Sequence, residues 1–234
     1  MGFYYFDYTY FVFILPALIV SIWAQARVKS TFSKYSQIRT GCSLTGQQAA
    51  QRVLDWGGAY NVGFQRIGGS LTDNYNPSTN IISLSEPVWG STSIASIGVA
   101  AHEAGHAVQY ATGYGPIKLR SAIVPVVRIG SGLSMPLIII GLILPVQYDF
   151  VVNLGILLFS LSVVFSLVTL PVEFNASNRA IRALAETGIL TNEELAGAKK
   201  VLGAAAMTYV ASTFTAIMSL LRLLTIVNNR RGRN

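Results

Sequence analysis

The chain has 234 residues, room for one ordinary domain with additional helices. Hydrophobic residues make up 52% and charged residues only 12%, against roughly 25% charged in soluble domains, which excludes an ordinary soluble protein and points to a membrane. The net charge of +7 does not indicate nucleic acid, because the basic residues flank apolar segments instead of lining a face interleaved with aromatics.

The first apolar segment, residues 8–23, is long enough with its flanks to span a hydrocarbon core. Ala24-Gln25-Ala26 would suit a signal-peptide cleavage site, but the preceding region carries Asp7 and neither Lys nor Arg. Arg27, Lys29, Lys34 and Arg39 follow at once. That order favours an anchor over residues 1–26 whose C-terminal side lies in the cytoplasm. Cys42 is the only cysteine, so there is no internal disulfide and no need for an oxidising compartment.

Residues 27–122 read as an α+β unit. A helix is expected from Thr45, as N-cap, to Trp56, with Gly57-Gly58 closing it. Extended runs follow over 59–67 and 80–84, separated by turns such as Asn74-Tyr75-Asn76-Pro77. Ile82, Ser83 and Leu84 are expected to form a strand along the cleft edge that holds an extended peptide by main-chain hydrogen bonds, or else an ordinary structural strand. Ser91 or Ser93 caps the next helix, which runs to about Tyr110, with Gly113, Gly115 and Pro116 beyond it.

That helix carries the chemistry. The only two histidines of the chain fall in one run, His102-Glu103-Ala104-Gly105-His106. On a helix this spacing puts both imidazoles on one face, where they can hold one Zn²⁺ with Glu103 as general base for the water. A buried helix with two satisfied core histidines is the plainer alternative, and it leaves the carboxylate between them unexplained.

Two further apolar segments, 129–146 and 150–170, are separated only by Gln147, Tyr148 and Asp149 and form a transmembrane hairpin over 123–171. Lys118, Arg120 and Arg128 precede it and Arg179 and Arg182 follow it, so both ends, and the histidine motif, are expected in the cytoplasm. Residues 172–203 form a cytoplasmic helical segment, in which Thr191-x-x-Glu194 reads as a capping box. The last part, 204–234, holds an apolar helix and a basic tail. If residues 204–221 span, Arg230, Arg231 and Arg233 lie outside against the positive-inside pattern, so three or four spans are open. Thr208, Ser212, Thr215, Ser219 and Arg222 make a polar stripe that either walls a cavity or packs against neighbouring helices.

A catalytic zinc takes three protein ligands and keeps one position open. Without a third histidine, the third ligand must be a carboxylate or come from elsewhere. Asp7 and Asp149 fall on the wrong side, Glu103 is committed to acid–base work, and Glu193 and Glu194 sit in the capping box. Glu173, just past Pro171 where the hairpin returns, is the preferred ligand, although charge at a helix N-terminus would also explain it. Glu86 is the fallback.

Leu71-Thr72-Asp73-Asn74-Tyr75-Asn76-Pro77, Ile82-Ser83-Leu84-Ser85, Ala101-His102-Glu103-Ala104-Gly105-His106-Ala107 and Pro171-Val172-Glu173-Phe174-Asn175-Ala176-Ser177 together resemble the YugP-type membrane zinc metallopeptidases over nearly the whole length. More distantly the chain is similar to HtpX-like and CAAX-prenyl endopeptidases, which have a zinc-binding helix, a membrane hairpin and then a Glu-x-x-x-Asp helix. The resemblance implies Glu173 as ligand. Ser177 replaces the aspartate, and its hydroxyl can orient a ligating histidine. The histidine run also resembles that of the ATP-driven protease FtsH, but no Gly-x-x-x-x-Gly-Lys-Ser/Thr motor motif is present.

The expectation is therefore a mainly α, multi-pass membrane protein with a zincin-like α+β cytoplasmic unit. It would be a zinc endopeptidase using one Zn²⁺ on His102, His106 and Glu173, with Glu103 as base, acting on polypeptides beside membrane lipid. Tyr209, Arg179 and Asn175 are candidate oxyanion donors. The alternatives are a scaffold or adaptor with a structural zinc site and a hydrolase acting on another bond.

Overall fold

The computed structural model describes residues 8–231; Asp7 and Arg233 lie outside them. A π-helical stretch, Tyr10–Ile14, runs into α1 (Leu15–Ser36). Then come α2 (Gly46–Gly57), β1 (Gly63–Ile67), β2 (Asn74–Asn76), β3 (Ile81–Ser85), α3 (Glu86–Trp89) and α4 (Ile94–Ala111). The chain ends in α5 (Gly115–Ile143), α6 (Asp149–Glu186) and α7 (Asn192–Arg231). Four helices, α1 with its π-helical lead, α5, α6 and α7, are long and apolar enough to cross a membrane.

The chain forms two compact units. The first comprises the residues up to Ala24, Leu119–Thr169 and those from Thr208 onward. Within it α5 and α6 approach to backbone contact. A Cβ on Gly141 would lie 2.5 Å from the Val152 nitrogen, and one on Gly155 2.9 Å from that of Ile138. Small residues permit this approach, which replaces the hydrophobic drive that lipid does not supply. α7 lies along the same hairpin. Arg230 donates to the carbonyls of Gly141, at 2.6 Å, and of Leu144, and stands 3.7 Å from Asp149 Oδ1. The Gly141 carbonyl lies in the last turn of α5 and Leu144 directly follows that helix, where carbonyls lack helical partners. The arginine near the end of α7 is thus matched by Asp149 and by the carbonyls at the α5 terminus.

The polar stripe of α7 packs against the first helix. Thr215 Oγ1 is 3.0 Å from Ser21 Oγ, and Arg222 Nε donates to Thr9 Oγ1 at 3.1 Å with its guanidinium 3.8 Å from the Tyr10 ring centroid. Of the two roles open to the stripe, helix packing holds for these residues. An arginine in an apolar helix is costly unless paired in this way.

The second unit comprises Gln25–Lys118 and Leu170–Met207. α2 is amphipathic and starts in a capping box in which Thr45 and Gln48 satisfy each other's backbone N–H. It ends at Gly58, whose φ of 65° is the left-handed conformation glycine accepts. Its buried Ala49, Ala50, Val53 and Leu54 join a core with Ile97, Ala100, Ala101, Ala104 and Val108 of α4, Ile82 and Leu84 of β3, and Ala180, Ala183 and Leu184 of α6. Ser93 caps α4 by accepting from the Ser96 N–H, and Thr191 and Glu194 form the anticipated reciprocal cap at the start of α7.

Two expectations are corrected. The strand order is β1-β3-β2, with β3 parallel to β1 and antiparallel to β2. Ile82, Ser83 and Leu84 therefore lie on the central strand and are buried, with β1 along one side and β2 paired to Ile82 and Ser83 on the other, so of their two expected roles the ordinary structural strand holds and the cleft edge does not. Their near-continuous apolar character belongs to a strand covered on both faces. The free edges belong to β1 and to β2, which forms where a turn was expected because β3 offers Asn74–Asn76 a partner. Secondly, no helix opens at Glu173: α6 runs unbroken through Pro171. A proline costs one helical hydrogen bond, and packing against neighbouring helices sustains the helix across it.

Candidate metal centre

The centre lies in the second unit, where one face of α4 meets one face of α6. His102, Gly105, His106 and Gln109 recur at the three- and four-residue spacing of a single helix face, as do Glu173, Ala176, Ser177 and Ala180. The helices meet closely because residue 105 has no side chain: a Cβ there would lie 2.6 Å from the carbonyl oxygen of Ala176. This contact brings the glutamate of one helix to the histidines of the other. Glu173 Oε2 is 3.3 Å from His102 Nε2 and 3.4 Å from His106 Nε2, and the Glu173 side chain is only 2% exposed. One ligand atom from each of the three residues lies within 4.8 Å of the others. Glu86 is elsewhere, in an exposed ion pair with Arg66.

The hydrogen bonds behind the histidines set which nitrogen faces the carboxylate. Arg179 carries only donors, and its Nε donates to Asn175 Oδ1 at 2.8 Å. Asn175 Oδ1 also accepts from Gln109 Nε2 at 3.0 Å, and Gln109 Nε2 donates to the Val172 carbonyl at 2.8 Å. The amide of the fully buried Gln109 is thereby oriented, and its Oε1 lies 3.0 Å from His106 Nδ1. An amide oxygen only accepts, so the proton sits on Nδ1 and Nε2 points its lone pair toward Glu173. His102 Nδ1 lies 3.1 Å from Ser177 Oγ, the orienting contact anticipated for that serine.

The lone pair of His106 Nε2 facing a Glu173 carboxylate oxygen calls for a proton or a metal cation between them. In the metal-free protein a proton on His106 serves: burial alone would lower its pKa, yet the Glu173 and Glu103 carboxylates and Gln109 outweigh it and raise the value. A borderline metal such as zinc, which takes imidazole and carboxylate ligands, fits the same three donors without that proton.

A consequence is that acid affects the metal-free and zinc-loaded proteins in opposite directions. Zinc binding requires neutral His106, so zinc affinity should fall as pH drops through the raised pKa, starting above the ordinary imidazole value of about 6.5. In the metal-free protein the protonated His106 is the stabilised form. Its contribution should be complete below about pH 6.5 and lost as pH rises through the raised pKa. Zinc retention against a chromophoric chelator and thermal melting across pH measure both, and parallel pH profiles would contradict the assignment.

Glu103 is buried between the histidines. Burial lifts its carboxyl above the usual carboxylate range; the histidines pull it down, while Glu173 and Asp73 push it up. Asp73 is itself raised by burial, against the pull of Ser85, whose backbone N–H donates at 2.7 Å and whose hydroxyl lies 3.0 and 3.1 Å from the two carboxylate oxygens. Asp73 immediately precedes β2, and Tyr75 on that strand packs at 5.7 Å between ring centroids on Tyr110 of α4.

Asn175 and Arg179 thus lie in the network behind His106. Tyr209 belongs to the first unit. Sequence reading missed Gln109, Gly105 and Asp73. Gln109 had a signal, since it falls seven residues after His102 on the ligand face. Asp73 and Gly105 fell within the motifs that carry the family resemblance, but spacing gave neither a role, because each acts through a partner distant in sequence.

The family described as "Putative neutral zinc metallopeptidase" matches residues 10–228. "Putative membrane protease YugP" of Bacillus subtilis (strain 168) is 45% identical over 225 residues, covering 96% of this chain and 99% of that protein. No solved structure matches the chain.

Proposed function

The chain belongs to the family described as putative neutral zinc metallopeptidases, and on that premise we propose that it is a multi-pass membrane endopeptidase, with its active site on the cytoplasmic face, that hydrolyses polypeptides. One observation carries the reading: the cluster offers three donors, His102, His106 and Glu173, and no fourth His, Cys, Asp or Glu joins it among the described residues. Three ligands and an open position characterise a catalytic zinc, whereas a structural site is closed by four. That count weighs against the scaffold alternative.

Zinc held there would supply Lewis acidity toward a carbonyl and lower the pKa of water. The remaining roles fall to the chain. Glu103 takes the proton from the attacking water and later passes it to the leaving amine. Gln109 and Ser177 keep the two imidazoles turned with Nε2 forward, and Asn175 and Arg179 fix the amide of Gln109, a use of these two residues better supported than oxyanion binding. The free edge of β2, which begins beside Asp73 and so on the Glu103 side, is the better candidate for holding an extended substrate by main-chain hydrogen bonds.

The test is incubation of the full chain, purified in detergent, with an unfolded polypeptide. Cleavage should be abolished by chelator, restored by zinc, and lost in Glu173→Ala together with most of its zinc at limiting metal. Cleavage that survives chelation would overturn the reading, and unchanged metal stoichiometry in Glu173→Ala would remove that residue from the ligand set.

A further inference from the structure

Away from the metal centre, but within the same unit, α1 and α7 enclose an open groove of about 620 Å³. Four cationic side chains line it: Arg27 and Lys34 from α1, and Lys199 and Lys200 from α7. No Asp or Glu is among the lining residues, and no carboxylate among the described residues pairs with Lys34, Lys199 or Lys200. Like charges brought together from distant parts of a sequence repel, so the fold maintains a concentrated positive potential here that an anion would relieve. Ser30 and Thr31 add hydroxyls to the lining. At Gly203 a Cβ would meet nothing within 4 Å, which leaves the α7 side of the groove open.

The sequence locates this groove at a bilayer surface. On α1 the lining begins at Arg27, one turn after the apolar run that ends at Trp23; on α7 it ends with Ala204 and Met207, where the last apolar segment starts. Both helices are long and apolar enough to span. Positive-inside flanking accounts for basic residues at this level. It does not account for their convergence from two helices on one cleft far larger than a lone phosphate needs.

We propose that this groove binds the phosphodiester headgroup of an anionic phospholipid, with the lysines and Arg27 on the phosphate oxygens and the acyl chains leaving past Ala204 and Met207. Basic pockets between membrane-entering helices are suited to such headgroups. The proposal does not depend on the peptidase reading.

The experiment is native mass spectrometry of the full chain in nonionic detergent, titrated with dioleoyl phosphatidylglycerol and, separately, dioleoyl phosphatidylcholine. The anionic lipid should be retained at least about tenfold more tightly. Lys199→Gln with Lys200→Gln should weaken it by roughly tenfold or more. Gly203→Leu keeps every charge but fills the cleft, and should weaken it similarly. Equal retention of the two lipids, or unchanged retention in both variants, would overturn the proposal. Displacement of the lipid by equimolar inorganic phosphate would assign the groove to a free anion and overturn the lipid reading too. Should one variant fail to fold, the other and the wild-type lipid comparison still decide.

Discussion

Glu103→Gln is expected to bind zinc as the unaltered protein does and to lose about 10²- to 10⁴-fold of its polypeptide cleavage, the span general acid–base catalysis typically supplies. The amide is nearly isosteric, so the buried position between the histidines is kept, but it cannot accept the proton of the attacking water. Zinc content by elemental analysis and turnover of a labelled unfolded polypeptide are measured on one preparation. Retained zinc with lost turnover supports Glu103 as base. Full turnover with stoichiometric zinc would require a different proton acceptor.

Gly105→Ala should lose zinc and activity although residue 105 touches no ligand. The added Cβ would meet the Ala176 carbonyl oxygen at 2.6 Å, backbone that cannot rotate away as a side chain could, so α6 must move off α4 and take Glu173 with it. A ligand displaced by a fraction of an ångström weakens metal binding by about 10- to 100-fold in comparable outer-shell changes, and a misplacement near 1 Å costs activity on the order of 10²-fold. Gly98→Ala is the control on the same helix. Its Cβ would sit at an ordinary 3.7 Å from Ala198 Cβ, and removing a mid-helix glycine should stabilise by roughly 0.5–1 kcal/mol. If Gly105→Ala matches Gly98→Ala in zinc affinity and turnover, close approach of the two helices is not what positions Glu173.

These predictions show where legibility ended. The N-cap at Thr45 and the capping box at Thr191 were readable because a cap is a contract among four consecutive residues. The His102–His106 pair was readable because helical periodicity alone brings its rings together. β3 was recognised as a strand, but its edge or interior place was left open, since alternation and propensity describe one strand, and only pairing with β1 and β2 decides which strand is central. β2 was missed because three polar residues carry no periodicity, and their extended conformation comes from a partner.

The sequence by itself determined that this is a membrane chain with apolar helices, and that two imidazoles with a carboxylate between them in sequence occupy adjacent turns at the spacing of metal ligands. Those properties follow from composition and from interactions within about four residues. The tertiary structure decided which carboxylate completes the cluster and which nitrogen of His106 faces it. It also decided that an absent side chain at 105 sets the spacing, and that basic residues near 30 and 200 share one groove. Each of these depends on contacts between segments far apart in the chain, and the spacing of residues along the sequence does not contain them.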